Sequence, residues 1–300
     1  MNSTLAPGCV LSFDDERGFA AALALALEVP LAVIERHRFP DGELKLRLPA
    51  ALPPCVVLVR SLHQPNEKLV ELLIAAPATR ELGARRLLLA CPYLAYMRQD
   101  IAFLPGEAVS QRHIAGLLAS RFDVVVTVDP HLHRIGSLGQ VMPGCQAVSL
   151  SAAPMLGAWV AQRVDRPLLL GPDEESARWV REAAQACAPA ADHGWCRKHR
   201  EGDRDVEIML PQALDFTGRA VVLIDDLAST GRTLVAAARL ALSAGASSVD
   251  VAVTHALFFG NALAELRAAD IGRVWSTDCV PHESNVVSVV PLLASALSRC

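Results

Sequence analysis

The sequence predicts an α/β protein built as two domains, each a mostly parallel sheet flanked by helices. Three observations predict it. First, short unbroken apolar runs recur, at Val56–Val59, Val124–Val128, Leu168–Leu170 and Val221–Ile224. Runs of that length, mostly β-branched and without alternation, fit strands covered on both faces of a parallel sheet. Second, polar loops and helix-length segments follow these runs, the rhythm of a doubly wound sheet. Third, 300 residues exceed one ordinary core, and the rhythm restarts near Leu150. The domains are therefore expected over 1–149 and 150–300. No sequence repeat relates them.

Composition narrows the function classes. Lys and Arg number 28 against 32 Asp and Glu, a net charge of −4, which argues against a general nucleic-acid role. Any anionic ligand must meet locally placed arginines. The eight cysteines form no C-x-x-C pair, so neither a zinc site nor a disulfide framework is indicated, and reduced thiols in a cytoplasmic protein are expected. No long uncharged apolar run would span a membrane, and Asp14, Asp15 and Glu16 interrupt the place of a signal peptide.

In order, the chain opens with a short strand and an alanine–leucine helix over Gly18–Leu27. Arg38-Phe39-Pro40-Asp41-Gly42-Glu43 spells a turn, and Leu44–Leu48 alternates as a half-exposed strand, together a hairpin. Strand Val56–Val59, helix Asn66–Leu82 and strand Arg86–Ala90 follow. The last ends in Cys91-Pro92-Tyr93-Leu94-Ala95-Tyr96-Met97-Arg98-Gln99-Asp100, where the tyrosines suit packing and Arg98 faces the ligand side of the sheet. Pro105-Gly106-Glu107 breaks the chain, and Ser110 is expected to cap a helix through Leu118. Strand Val124–Val128 ends in Asp129-Pro130-His131-Leu132-His133. Two histidines at that spacing make half a metal site or a hydrogen-bonding pair.

Ser151–Pro154 opens the first helix of the second half. Strand Leu168–Leu170 runs into Gly171-Pro172-Asp173-Glu174-Glu175-Ser176 and an amphipathic helix, whose dipole the glutamates complement. Arg197-Lys198-His199-Arg200 begins a charged stretch that reads as a solvated hairpin, ending in the alternating Val206-Glu207-Ile208. Strand Val221–Ile224 leads into Asp225-Asp226-Leu227-Ala228-Ser229-Thr230-Gly231-Arg232-Thr233 and a helix to Ala244. Strands Val249–Thr254, Val274–Thr277 and Val286–Val290 and a closing helix complete the chain.

The stretch from Asp225 to Thr233 carries the most chemistry. Two carboxylates end a buried strand, where open sheets bind ligands. A glycine, hydroxyls and a helix N-terminus follow, a ready phosphate cradle. The carboxylates suit sugar hydroxyls or hydrated magnesium. A plain strand–turn–helix is the ordinary alternative; a phosphorylated sugar uses all three parts.

The order Asp-Asp-x-x-Ser-Thr-Gly-x-Thr resembles the phosphoribosyl pyrophosphate loop of type I phosphoribosyltransferases and ribose-phosphate pyrophosphokinases. Four further motifs resemble the pyrophosphokinases in the same order: Phe39-x-Asp41-Gly42-Glu43, the Pro92-Tyr93 segment through Arg98-Gln99-Asp100, Asp129-x-His131, and Lys198-x-Arg200 ahead of Val206-Glu207-Ile208. The resemblance implies two phosphoribosyltransferase-type domains and transfer of the diphosphoryl group of ATP to the C1 hydroxyl of ribose 5-phosphate, with Mg2+. It implies ATP contacts from Phe39, Asp41, Glu43, Arg98, Gln99, Asp100 and His131, and metal contacts from His131 and Asp173. Ribose 5-phosphate falls to Asp225, Asp226, Ser229, Thr230, Gly231, Arg232 and Thr233, and catalysis to Lys198 and Arg200. It also implies self-association, with the Phe39 loop reaching into a neighbouring subunit. Three departures mark a divergent branch. Arg232 stands where the family has a small residue, Glu174 and Glu175 where it has glycines, and Ile101–Glu107 lacks the family's basic regulatory segment. The alternatives are a type I phosphoribosyltransferase, which would not need the ATP motifs, and a non-catalytic regulatory paralogue, which would be expected to lose the catalytic cations.

Overall fold

A computed structural model describes residues 5–132, 134–201 and 205–300, with the side chains of 198–201 and 205–207 excepted. By contacts the chain divides into two compact units, Met1–Leu150 with Val289–Cys300, and Ser151–Ser288. The sequence boundary near Leu150 left the closing residues in the second domain; the contact division assigns them to the first unit.

The first unit contains β1 (Cys9–Phe13), α1 (Arg17–Ala26), β2 (Leu31–Arg38), β3 (Leu44–Arg47), β4 (Cys55–Val59), α2 (Pro65–Glu81), β5 (Arg86–Cys91), α3 (Ser110–Ala119), β6 (Val124–Val128) and β7 (Gln146–Leu150). Among the described residues its sheet runs β3-β2-β1-β4-β5-β6-β7. Every neighbouring pair is parallel except the β2–β3 hairpin. Val56–Val59 and Val124–Val126 are each 0% exposed, as unbroken apolar runs require. Alternate residues face opposite layers: Leu11, Phe13, Val56, Leu58, Leu87 and Leu89 meet Leu69, Leu72 and Ala76 of α2 and Ala115 and Leu118 of α3.

The second unit contains α4 (Ala153–Ala161), β8 (Leu168–Gly171), α5 (Ala177–Ala186), β9 (Asp192–Trp195), β10 (Arg197–Glu201), β11 (Asp205–Met209), β12 (Ala220–Ala228), α6 (Arg232–Ser243), β13 (Ser248–Ala256), α7 (Ala262–Ala268), β14 (Ile271–Thr277) and β15 (Asn285–Val287); α8 (Val290–Leu297) then belongs to the first unit. Among the described residues the main sheet runs β15-β14-β13-β12-β8-β9, all parallel, and β10–β11 form a separate antiparallel hairpin. Leu168, Leu170, Val221 and Leu223 pack towards α6, while Leu169, Val222 and Ile224 pack towards α4 and α5. Helices α4 and α5 cross so closely at Gly157 that an added Cβ would lie 2.0 Å from Ala183 O; only glycine fits there.

Two local expectations change. Ser110 does not cap α3: the cap position is Val109, without a side-chain bond, and the Ser110 N–H is held by Gln99 Oε1 at 2.7 Å. The last strand is Asn285–Val287 rather than Val286–Val290, because Val290 already starts α8 with Pro291 in its first turn.

Candidate active site

Strand order places the acidic loop at a crevice. In the second unit β8 and β12 are neighbours, and the chain continues outward from them in opposite directions, to β9 on one side and to β13–β15 on the other. That junction is the topological switch point, where open sheets receive ligands beyond the strands' carboxyl ends. Pairing of β12 with β8 runs from Val221↔Leu168 to Leu223↔Leu170. Beyond it β12 continues into Asp225 and Asp226, and β8 gives way to Asp173, so three carboxylates from two strands gather at one end.

Asp225 is half-buried and Asp226 is 3% exposed. The Asp226 N–H donates to Asp225 Oδ1 at 3.0 Å. Burial, and then the neighbouring charges of Asp226 and Asp173, push the Asp225 carboxyl well above its ordinary range. Asp173 has a structural duty as well: its Oδ1 accepts from the Glu175 N–H at 3.1 Å, and its carbonyl accepts from Ser176 Oγ at 2.6 Å. Glu174 and Glu175 are exposed beside it.

The sequence expected the strand to stop at Ile224, but β12 carries Asp225 and Asp226 within it and runs to Ala228, where its ladder with β13 ends; the loop that follows turns sharply at Gly231, which caps α6 with φ +74, and a Cβ there would lie 2.5 Å from Leu266 Cδ1. Glycine supplies this left-handed turn without steric cost and offers no side chain to bond the first N–H groups of α6, so they are available to an anion. Thr230 and Arg232 are exposed, Ser229 and Thr233 half-buried. The segment after β13 braces the loop: the Leu257 and Phe258 N–H groups both donate to Ala228 O, and the Phe259 N–H to Ser229 O, each at 3.0 Å. Arg232, the first helical residue, keeps its side chain at the surface.

The charged stretch forms the hairpin β10–β11, with Lys198 opposite Ile208 and Arg200 opposite Val206. The side chains of Lys198 and Arg200 lie outside the described residues.

In the first unit the Phe39 turn is closed by its own groups. The Phe39 N–H donates to Glu43 O at 2.8 Å, the Gly42 N–H to Phe39 O at 2.9 Å and the Glu43 N–H to Asp41 Oδ1 at 3.1 Å. Phe39 remains 39% exposed, with His37 edge-on at 4.8 Å and Lys45 Nζ at 6.0 Å. Asp41 and Glu43 are exposed. Of the second motif, Arg98 is exposed, whereas its neighbours brace the segment. Gln99 bonds both Ser110 N and Ile101 O, and Asp100, 7% exposed, pairs with Arg134 at 2.6 Å. Arg134, which ties the segment after β6 to the one after β5, had no sequence signal because its partner is 34 residues away. His131 is half-buried beyond β6; His133 lies outside the described residues.

Oxygen donors at Asp173, Asp225 and Asp226 suit a hard cation. Among the described residues no group of three or more His, Cys, Asp or Glu side chains is arranged to hold a metal ion. Among the described residues no helix is long and apolar enough to cross a membrane.

Comparison with known proteins identifies the family. The model for the N-terminal domain of ribose phosphate pyrophosphokinase matches residues 9–121, and that for the phosphoribosyl synthetase-associated domain matches residues 209–297. A ribose-phosphate pyrophosphokinase of Methanopyrus kandleri is 41% identical over 280 residues, covering 92% of this chain and 94% of its own. One of Methanosarcina acetivorans is 34% identical over 285 residues, covering 93% and 95%. The fold is similar to the crystal structure of phosphoribosylpyrophosphate synthetase from Mycobacterium smegmatis, at a TM-score of 0.82 and 22% identity, over 97% of both chains. With two domain models and full-length relatives in agreement, the chain belongs to the ribose-phosphate pyrophosphokinase family.

Proposed function

We propose that the chain transfers the β,γ-diphosphoryl group of ATP to the C1 hydroxyl of ribose 5-phosphate, releasing AMP and 5-phosphoribosyl 1-pyrophosphate for nucleotide biosynthesis. The observation that carries the reading is the gathering of Asp173, Asp225 and Asp226 at the switch point beside the Gly231 helix N-terminus. Asp225 and Asp226 accept hydrogen bonds from the ribose hydroxyls. Ser229, Thr230, Gly231 and Thr233, with the first N–H groups of α6, take the 5-phosphate. Arg232, at the surface, adds a positive charge beside it.

ATP is held by Phe39 against the adenine, by Asp41 and Glu43 on the base, and by Arg98 and His131 on the phosphates. Gln99 and Asp100 act chiefly by fixing the Arg98 segment. Asp173 and His131 would contact Mg2+ bound with ATP, which would supply neutralisation of phosphate charge. Lys198 and Arg200 stabilise the charge that develops as the diphosphoryl group passes to the sugar, so catalysis is positioning plus electrostatics. The chain works in the cytoplasm as an oligomer whose sites are shared between subunits.

Measurement of AMP release from ATP and Mg2+, with and without ribose 5-phosphate, tests the reading. Stoichiometric AMP and phosphoribosyl pyrophosphate are expected only when both substrates are present. Absence of AMP in the complete mixture would return the chain to the phosphoribosyltransferase or regulatory alternatives.

A further inference from the structure

The hairpin that carries Phe39, Asp41 and Glu43 is tied to α2 by two ion pairs in series. Arg36 and Arg38 stand two residues apart on β2 and share one strand face. Glu67 and Glu71 stand four apart on α2 and share one helix face. Both spacings come to about 6 Å, so the two rows match rung for rung. Arg38 bonds Glu67 in the outer rung, and Arg36 bonds Glu71 in the inner one. The outer rung is open to solvent, its side chains 57% and 42% exposed, while the Glu71 side chain is 0% exposed.

The inner rung is anchored in the core. Glu71 is shared with Arg60, whose side chain is 1% exposed and also pairs with Asp15 at 2.9 Å and Glu16 at 3.3 Å. Lys68 closes this network on Glu16 at 3.1 Å. Arg60 lies 4.6 Å from the Phe13 ring centroid, fixing it from the other side. The sheet's grip on β2 ends early: β2 pairs with β1 over Leu31–Ile34, and Arg36 and Arg38 lie beyond that stretch, where β2 pairs with β3. A cavity of about 560 Å³ opens between hairpin and helix, lined by Arg38, Glu43, Leu44, Glu67, Val70 and Ile74. The ion pairs therefore help set the angle of this outer part of the hairpin to α2.

We propose that the Arg36–Glu71 and Arg38–Glu67 pairs are a positioning ladder that fixes the β2–β3 hairpin on α2 and so pre-orients Phe39, Asp41 and Glu43 for the adenine of ATP. The inference rests on the reading that this hairpin binds ATP. An exposed ion pair adds little to stability. Two in series restrict the pivot of the part of the hairpin that extends past β1 and reduce the ordering cost when a ligand arrives.

The outer rung allows a test that leaves the buried network intact. Arg38→Glu and Glu67→Arg each place like charges across the rung, and the double swap restores opposite charges. Steady-state kinetics should show each single variant with a KM for ATP raised roughly 5- to 10-fold, kcat and KM for ribose 5-phosphate nearly unchanged, and the swap close to wild type. Thermal melts of all three within a few degrees of wild type would separate positioning from unfolding. Phe39→Ala is the control for the underlying reading. If it leaves KM for ATP unchanged, that reading falls and the ladder with it. If it raises KM for ATP while the single rung variants do not, or if the swap fails to restore them, the ladder alone is overturned. Arg36→Met adds a second check, because its effect on KM should be non-additive with Phe39→Ala if Arg36 acts through that ring.

Discussion

Asp225 bears the clearest physical tension in the chain. Burial and the charges of Asp226 and Asp173 make its ionised form costly in the free protein. The folded pKa is raised, so this residue's contribution to stability is greatest below the unfolded carboxylate value of about 3.9 and declines as pH rises through the folded value. Asp225→Asn is expected to raise the melting temperature of the free protein at neutral pH by a few degrees and to flatten that part of the pH–stability curve, while weakening ribose 5-phosphate binding. Calorimetric melts across pH and a ribose 5-phosphate titration check the two halves; a variant that melts earlier and binds normally would deny the tension. Asp173, Asp225 and Asp226 stood out in local sequence because each follows an apolar run, but the run does not mark the end of β12: the strand continues through both aspartates to Ala228, with Asp225 opposite Val253 and Leu227 opposite His255. The braces did not stand out. The Gln99 bond to Ser110 N and the Arg134 pair with Asp100 span 11 and 34 residues and exist only once the chain has folded.

Elements followed the same rule. Strands with unbroken apolar runs were readable, but β7 and β9 are edge strands with partly exposed, polar residues, held by ladder bonds that no composition signal announces. The turn after β5 shows what an altered element implies for regulation. Phe103 and Leu104 are 71% and 65% exposed, and Glu107 Oε2 accepts from the N–H groups of Phe103 at 2.7 Å and Leu104 at 3.2 Å. A carboxylate thus closes the turn at the place where the resembling regulated enzymes carry cations. An anionic effector would meet repulsion here instead of pairing. The enzyme is expected to be active without inorganic phosphate, and ADP to inhibit only in competition with ATP. Initial rates in phosphate-free buffer, and ADP inhibition measured at rising ATP, check this. A strict phosphate requirement, or inhibition that saturating ATP fails to relieve, would place regulation in another segment.

At the scale of the whole molecule, the two-domain division was readable from the restart near Leu150, but the place of the last helix was not. Sequence adjacency assigns α8 to the second half; its Leu293 and Leu297, both 0% exposed, are buried in the first unit, where the helix packs against α1, β5, β6 and β7. The remaining expectation concerns a larger assembly. Phe39 keeps 39% of its surface open on a turn already closed by its own backbone bonds, so covering the ring requires little further ordering. If the cover is adenine held mainly by a neighbouring subunit, each active site draws Phe39 and Asp41 from one chain and Lys198 from another. A chain with Phe39→Ala and Asp41→Ala then damages the hairpin half of a site, and a chain with Lys198→Ala damages the transfer half. Each homo-oligomer should fall by about a hundredfold or more. In a two-fold dimer mixed at equal amounts, half of the molecules are hybrids, and each hybrid has one site free of both lesions and one with both. The purified hybrids should therefore show about half of wild-type activity, and the unfractionated mixture about a quarter. Co-expression with two different affinity tags, purification of the doubly tagged species and assay of AMP release measure it. A fully active monomer in light scattering, or hybrids no more active than their parents, would place the whole site within one chain.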